Sequence, residues 1–331
     1  LKSRGKDTRF VVPNWMAQPD NTTIGYEVKN WTAMGSVGLE PEILTKVSEH
    51  PGQFLVAYGL ALQGLGAAVM QHDLNPKRRS WGTLLSKKKT ERMWGVDIGS
   101  TGVKAVELTA DSDGNIEIVD CLIIPHDSPL YRINDGDQVV ECVTATMEQF
   151  VEHAEAKKPR VAVGFPGRLG LARFFDLPPI KSKKKKLADA VSFEVRAKIP
   201  MPLEDAVFDY HAFAPVGNGF VELRPIAAVA ARKDHLEQWV APVLQTGCDI
   251  ALVQCDGFAL YNAFYREFLS QDDDGSAIAI VDVGGDATNL IVGTRKDVWM
   301  RSILYGSKRF DESLARQLPV TVDQGTELRT D

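Results

Sequence analysis

Two short stretches of this chain read almost alike, and together they limit its possible folds more than any other feature. Val96-Asp97-Ile98-Gly99-Ser100-Thr101 and Val281-Asp282-Val283-Gly284-Gly285-Asp286 each bring an apolar strand to an aspartate and then to a glycine turn. Glycine permits the tight turn, and successive backbone amides of such a turn can face an anion. One Asp-x-Gly turn marks nothing beyond a hairpin. Two of them, each in a strand–turn–strand setting, can close on a polyphosphate from opposite sides. The aspartates would then hold a hydrated Mg²⁺, which keeps several waters and needs only one or two carboxylates. The sequence has no Gly-x4-Gly-Lys-Ser/Thr loop, which excludes a P-loop enzyme.

The rest of the chain sets the context for this pair. Its 331 residues allow two ordinary domains or one bilobed unit. A net charge of −6 argues against a general nucleic-acid binder. The four cysteines, Cys121, Cys142, Cys248 and Cys255, are too scattered for a disulfide scaffold or a zinc ribbon and fit a reducing cytoplasm. The first residue is Leu1 with no leader after it, so the chain is expected to start inside something longer or to have been trimmed. Phe54–Met70 carries only Gln63 as a strongly polar residue. It is short for a membrane span and rich in glycine, so a buried core helix is expected, with Gly59, Gly64 and Gly66 allowing close packing. Pro76–Arg92 holds seven basic residues without apolar periodicity and reads as an exposed linker, with contact to anionic lipid as the rival.

From Met93 the pattern is α/β. Trp94–Asp97, Val103–Leu108 and Ile116–Ile124 read as successive strands. A helix follows with Val140, Val143, Met147, Phe150 and Ala154 on one face. Strands are expected at Arg160–Gly164 and near Arg173–Leu177, then a helix from the Lys183–Lys186 run to about Lys198, stopped by Pro200 and Pro202. Further strands surround Phe208–Phe213 and Val221–Ala230. Helices over Asp234–Thr246, closed by Gly247, and Asp256–Leu269 lead to a polar turn at Gln271–Gly275 and the second glycine hairpin.

The double hairpin resembles the phosphate-1 and phosphate-2 motifs of the actin, Hsp70 and sugar-kinase superfamily. On that resemblance phosphate-1 carries Asp97, Gly99, Ser100, Thr101 and Lys104, and phosphate-2 carries Asp282, Gly284, Gly285, Asp286 and Thr288. Lys104 reads equally as a solvent-facing strand residue. Gln254-Cys255-Asp256-Gly257-Phe258-Ala259-Leu260 is similar to the connect-1 helix, which implies that Asp256 orients an attacking water. Capping of helix amides is an equal explanation for an aspartate there. Within the superfamily, Phe193–Glu204, Phe208-Asp209-Tyr210, Val161–Pro166, Leu177-Pro178 and Leu304-Tyr305-Gly306 resemble the PilM family of type IV pilus assembly.

The resemblance implies an actin-like (ribonuclease H-like) bilobed α/β ATPase fold with an FtsA-like inserted subdomain near 160–236. It divides the chain into a segment 1–74 like the tail of a PilM-like copy, a basic linker 75–92, and an actin-fold domain 93–331. The second lobe of that domain would begin near 248 and lack its own C-terminal part. The paired-glycine adenosine motif expected before the tail helix is absent. A tandem parent protein is the favoured expectation, with circular permutation as its rival. The family further implies a cytoplasmic platform at the inner face of the cell membrane that binds ATP and Mg²⁺. It would hydrolyse ATP slowly at most, dock the cytoplasmic tail of a PilN-like inner-membrane protein, and reach the membrane through that partner, with self-association possible and no nucleic acid. The rivals are an FtsA- or MreB-like filament protein, a sugar-kinase-like phosphotransferase and a nucleotide-free scaffold.

Overall fold

In the computed structural model, the residues described are 9–11, 27–29, 38–39, 43, 45–47, 52–75, 92–178, 184–217, 222–269 and 277–330. The leading segment gives strands β1 (Arg9–Val11), β2 (Glu27–Lys29) and β3 (Gly38–Leu39) and helix α1 (Leu55–Gly64). A meander β4 (Arg92–Ile98), β5 (Gly102–Ala110) and β6 (Ile116–Pro125) leads to α2 (Gly136–His153) and β7 (Arg160–Phe165). Next come β8 (Gly170–Leu177), α3 (Lys184–Lys198), β9 (Ala206–Ala212), β10 (Val216–Gly217) and β11 (Glu222–Arg232). Helix α4 (Lys233–Gln245), strand β12 (Asp249–Cys255) and helix α5 (Asp256–Phe264) follow. A second meander, β13 (Ile278–Val283), β14 (Thr288–Gly293) and β15 (Val298–Ile303), precedes α6 (Ser307–Gln317) and α7 (Val322–Thr330). Most of the expected basic linker (76–91) and the polar turn at 271–275 lie outside the described residues.

Two sheets share one order. In the first lobe the strands run β12-β7-β4-β5-β6-β3, with β7 and β12 parallel to β4 beyond the antiparallel meander. In the second lobe they run β15-β14-β13-β1-β2, with β1 and β2 parallel to β13 beyond its own meander. Strands β7 and β12 follow their meander in sequence, whereas β1 and β2, and β3 parallel to β6 at the other edge of the first-lobe sheet, come from the leading segment. Arg9, Phe10 and Val11 pair with Ile278, Ala279 and Ile280. The favoured expectation set this segment in a separate copy; here it lies within the sheet and core of the domain that Met93 begins.

Helix α1 has no polar face, and residues Leu55–Gln63 are all buried. A helix apolar all round must be enclosed. It lies between the first-lobe sheet and α5, and glycine makes the approach possible: a Cβ on Gly59 would sit 1.8 Å from Ala259 O, and one on Gly95 1.8 Å from Ala57 O. The helix is shorter than the expected 54–70. It ends in a Schellman turn, with Ala67 N donating to Leu62 O and Gly66 N to Gln63 O, around Gly66 at φ +79°. Its one polar side chain is satisfied, since Gln63 Oε1 accepts from Gln254 Nε2 at 2.9 Å and its amide donates to His72 O.

A four-stranded sheet, in which β11 lies between β8 and β9, forms a small subdomain with its own core of Leu177, Val191, Val195, Ile199, Ala206, Ile226, Ala228 and Ala230. It occupies 170–232, less than the expected 160–236. β7 is an interior strand of the first-lobe sheet, and Leu236 on α4 packs into the main core.

Candidate functional site

Each glycine hairpin ends its strand with one backbone bond: Gly99 N donates to Gly102 O at 2.9 Å, and Gly284 N to Ala287 O at 2.9 Å. The register then fixes what faces each aspartate. Asp97 pairs with Lys104 on β5, whose Nζ lies 4.0 Å from Asp97 Oδ2. Asp282 pairs with Asn289 on β14, and Asn289 pairs in turn with Ser302 on β15. Asn289 Nδ2 donates to Asp282 Oδ2 at 3.2 Å and to Asp256 Oδ2 at 3.1 Å, while its Oδ1 accepts from the Ser302 hydroxyl.

Asp256 opens α5 and points its Oδ1 at two backbone amides, Gly257 N at 2.6 Å and Gly167 N at 2.9 Å. The first bond stays within the first turn of α5, whose N-cap is Cys255, and the second reaches across to the 166–169 turn between β7 and β8. Three carboxylates, Asp97, Asp256 and Asp282, therefore converge from β4, α5 and β13. Burial raises all three above the ordinary carboxylate range. For Asp256, burial and the charges of Asp282 and Asp97 outweigh the Gly167 N–H and the Asn289 amide and push it up to about 7. Lys104 pulls Asp97 back down. Grouped carboxylates with one lysine among them favour an added cation. Among the described residues no three His, Cys, Asp or Glu side chains are set to grip an ion directly. Asp97 and Asp282 are the carboxylates that could hold an ion keeping its water shell, which needs only one or two of them.

The two turns meet. A Cβ on Gly285 would lie 2.1 Å from Ser100 Oγ, so a larger residue there would have to push the Ser100 hydroxyl aside. His126 braces the first turn. Its Nε2 donates to Gly99 O at 3.1 Å, and in the neutral ring its Nδ1 accepts from the Thr146 hydroxyl at 2.8 Å. Burial holds its pKa below the usual histidine value, which favours that neutral form.

The structure thus brings Asp97, Lys104, Asp256 and Asp282 together and sets Ser100 against Gly285. Thr101 is exposed, and its carbonyl accepts from His126 N at 3.0 Å. The Thr288 hydroxyl donates to Tyr305 O at 2.5 Å. The Asp286 carboxylate is engaged by Arg168 at 2.8 Å. Sequence reading missed Asn289, Ser302, Gly167, Arg168 and His126. Asn289 alone left a signal, because a hairpin closed at Gly284–Ala287 must set it opposite Asp282.

The sequence matches the profile of the family described as type IV pilus assembly protein PilM over residues 95–330. Among solved structures, a PilM–PilN type IV pilus biogenesis complex superposes with a TM-score of 0.60 and 21% identity, covering 72% of this chain and 69% of that one. The cytoplasmic domain of EpsL, from the type II secretion system of Vibrio cholerae, gives a TM-score of 0.38 and 11% identity over 68% of this chain and 75% of that one. An exopolyphosphatase from Cytophaga hutchinsonii gives 0.32 and 9% over 67% and 53%. The first superposition establishes the fold as the actin-like α/β architecture. Because the family profile spans most of its length, the chain belongs to the PilM family of type IV pilus assembly proteins.

Proposed function

We propose that the chain is a nucleotide-responsive platform of pilus assembly, holding Mg·ATP between its two glycine turns and receiving a peptide from a PilN-like membrane partner. The convergence of Asp97 and Asp282 beneath two touching turns carries the nucleotide reading. Asp97 and Asp282 would hold the hydrated ion. The amides of Ser100–Thr101 and Gly285–Ala287 would face the phosphates, with Lys104 beside them. Bound Mg²⁺ supplies charge neutralisation between phosphate oxygens. Asp256, at the start of α5 and linked through Asn289 to Asp282, would orient the attacking water from its Oδ2. Any hydrolysis would be slow at most. The nucleotide-free scaffold stays as the second reading, because Ser100 already presses on Gly285 and the carboxylate of Asp286 already has a partner.

For the peptide, strand β8 pairs only with β11 among the described strands, which leaves an edge open to strand addition. Phe193 on α3 is 72% exposed beside this subdomain. The peptide would lie between Val161–Leu177 and Phe193–Tyr210. Among the described residues no helix is long and apolar enough to cross a membrane. Attachment at the inner face of the membrane, from the cytoplasm, would therefore come through the partner.

Titration of the chain with Mg·ATP tests the nucleotide reading. Asp97→Ala and Asp282→Ala are expected to abolish binding with the fold intact, and unchanged affinity in both favours the scaffold. Titration with the N-terminal peptide of a PilN-like partner tests the second part. Phe193→Arg is expected to weaken it at least tenfold, and equal binding rules the groove out.

A further inference from the structure

Arg168 and Asp286 face each other across the cleft. Arg168 Nε lies 2.8 Å from Asp286 Oδ2, with 23% and 30% of the two side chains exposed. Arg168 belongs to the turn joining β7 to β8, and Asp286 to the turn joining β13 to β14, so the pair ties the first lobe to the second.

The turn carrying Arg168 is held in place from two directions. Gly170 N donates to Pro166 O and Gly167 O at 3.2 Å each, which winds the turn tightly. Gly167 N donates to Asp256 Oδ1. A Cβ on Gly167 would lie 2.4 Å from Ser302 Oγ, 2.8 Å from Asp256 Oδ1 and 3.0 Å from Asn289 Oδ1. The backbone before Arg168 is therefore wedged into the carboxylate cluster, while its guanidinium rests on the acidic residue of the second glycine turn.

A partly exposed ion pair contributes little. A phosphate group carries more charge and offers a guanidinium two parallel acceptors, so it competes well for the same arginine. We infer that Arg168 is a positioning residue for the terminal phosphate of ATP, and that Asp286 stands in for that phosphate when nucleotide is absent. The inference rests on the nucleotide reading above. The terminal phosphate is singled out because Gly167, one residue before Arg168, binds Asp256, the group proposed to orient the attacking water. That water must lie beside the last phosphate. Asp286, expected from the sequence to face nucleotide, then acts as a competitor for Arg168.

Isothermal titration of the 331-residue chain with Mg·ATP and with Mg·ADP separates the outcomes. Arg168→Ala is expected to weaken ATP about tenfold or more while changing ADP less than about twofold, and Arg168→Lys to recover part of the loss. Asp286→Ala is expected to strengthen ATP, because the competing carboxylate is gone. A structural bridge would move the two alanine variants in the same direction and ATP and ADP alike; either result overturns the inference. If Asp97→Ala abolishes ATP binding while Arg168→Ala leaves it unchanged, the Arg168 assignment fails and the nucleotide reading stands. Absence of ATP binding by the unaltered chain overturns both.

Discussion

Asn289 Nδ2 sits between two carboxylates, 3.1 Å from Asp256 Oδ2 and 3.2 Å from Asp282 Oδ2, and is the neutral link that lets them share one small space. Its charge-free amide matters as much as its hydrogen bonds. Asn289→Asp would add a further carboxylate to three that burial already disfavours. The added repulsion exists only when the groups are ionised, so it grows as pH rises. Thermal unfolding of ligand-free protein at pH 5 and pH 8 should show a larger loss at pH 8, by about 2 kcal/mol or more. An equal loss at the two pH values would remove the electrostatic explanation.

A pH effect of opposite sign belongs to His211. Burial and the neighbouring His72 ring hold it down to about 4. A histidine with a depressed folded pKa stabilises the protein above its unfolded value of about 6.5, and that stability is lost as pH falls towards the folded pKa. His211→Phe should therefore lose less stability than the unaltered chain between pH 7 and pH 4.5. Other groups titrate there too, Asp256 in the reverse sense, so the measurement is the difference between the two urea midpoints at each pH. A difference that does not change with pH would contradict the assignment.

Gly59 and Gly66 lie near one another in sequence but answer to different constraints. Gly59→Ala must force its Cβ to within 1.8 Å of Ala259 O, and should cost more than ~3 kcal/mol or prevent folding. Gly66→Ala meets nothing within 4 Å and suffers only the left-handed backbone at φ +79°, a cost of about 1 kcal/mol. Denaturant midpoints of the two variants should rank accordingly; similar values would mean that α1 does not touch α5 as described.

Residues 1–75 supply α1 and two strands of the second-lobe sheet, so 92–331 made alone would leave a deep apolar trough against β4, β5 and α5. Separately produced 1–75 and 92–331 are expected to co-purify, with 92–331 aggregating when alone. A soluble, monomeric 92–331 that ignores 1–75 would show that the leading segment belongs elsewhere.

Local chemistry is what the sequence carried unaided. The two Asp-x-Gly turns, the apolar run at 54–70, the Gly247 helix stop and the order of strands from Met93 could all be read because each depends on neighbours a few residues away: φ > 0 at glycine, alternation in a strand, the 3.6-residue period of a helix. Asp97, Lys104, Asp282 and Asp256 were legible for the same reason, as residues at the ends of strands or the start of a helix. Tertiary structure alone decided which groups surround them. Gly167 and Arg168 lie in a turn with no motif of its own, and their importance arises only when that turn meets Asp256 and Asp286 across the cleft. His126 reaches Gly99 from the far end of β6, with its ring braced by Thr146 on α2. The leading segment is the largest case. Nothing in Arg9–Val11 names Ile278–Ile280 as its partner. A three-residue strand can pair with any open sheet edge, and the choice falls to the arrangement that also buries α1.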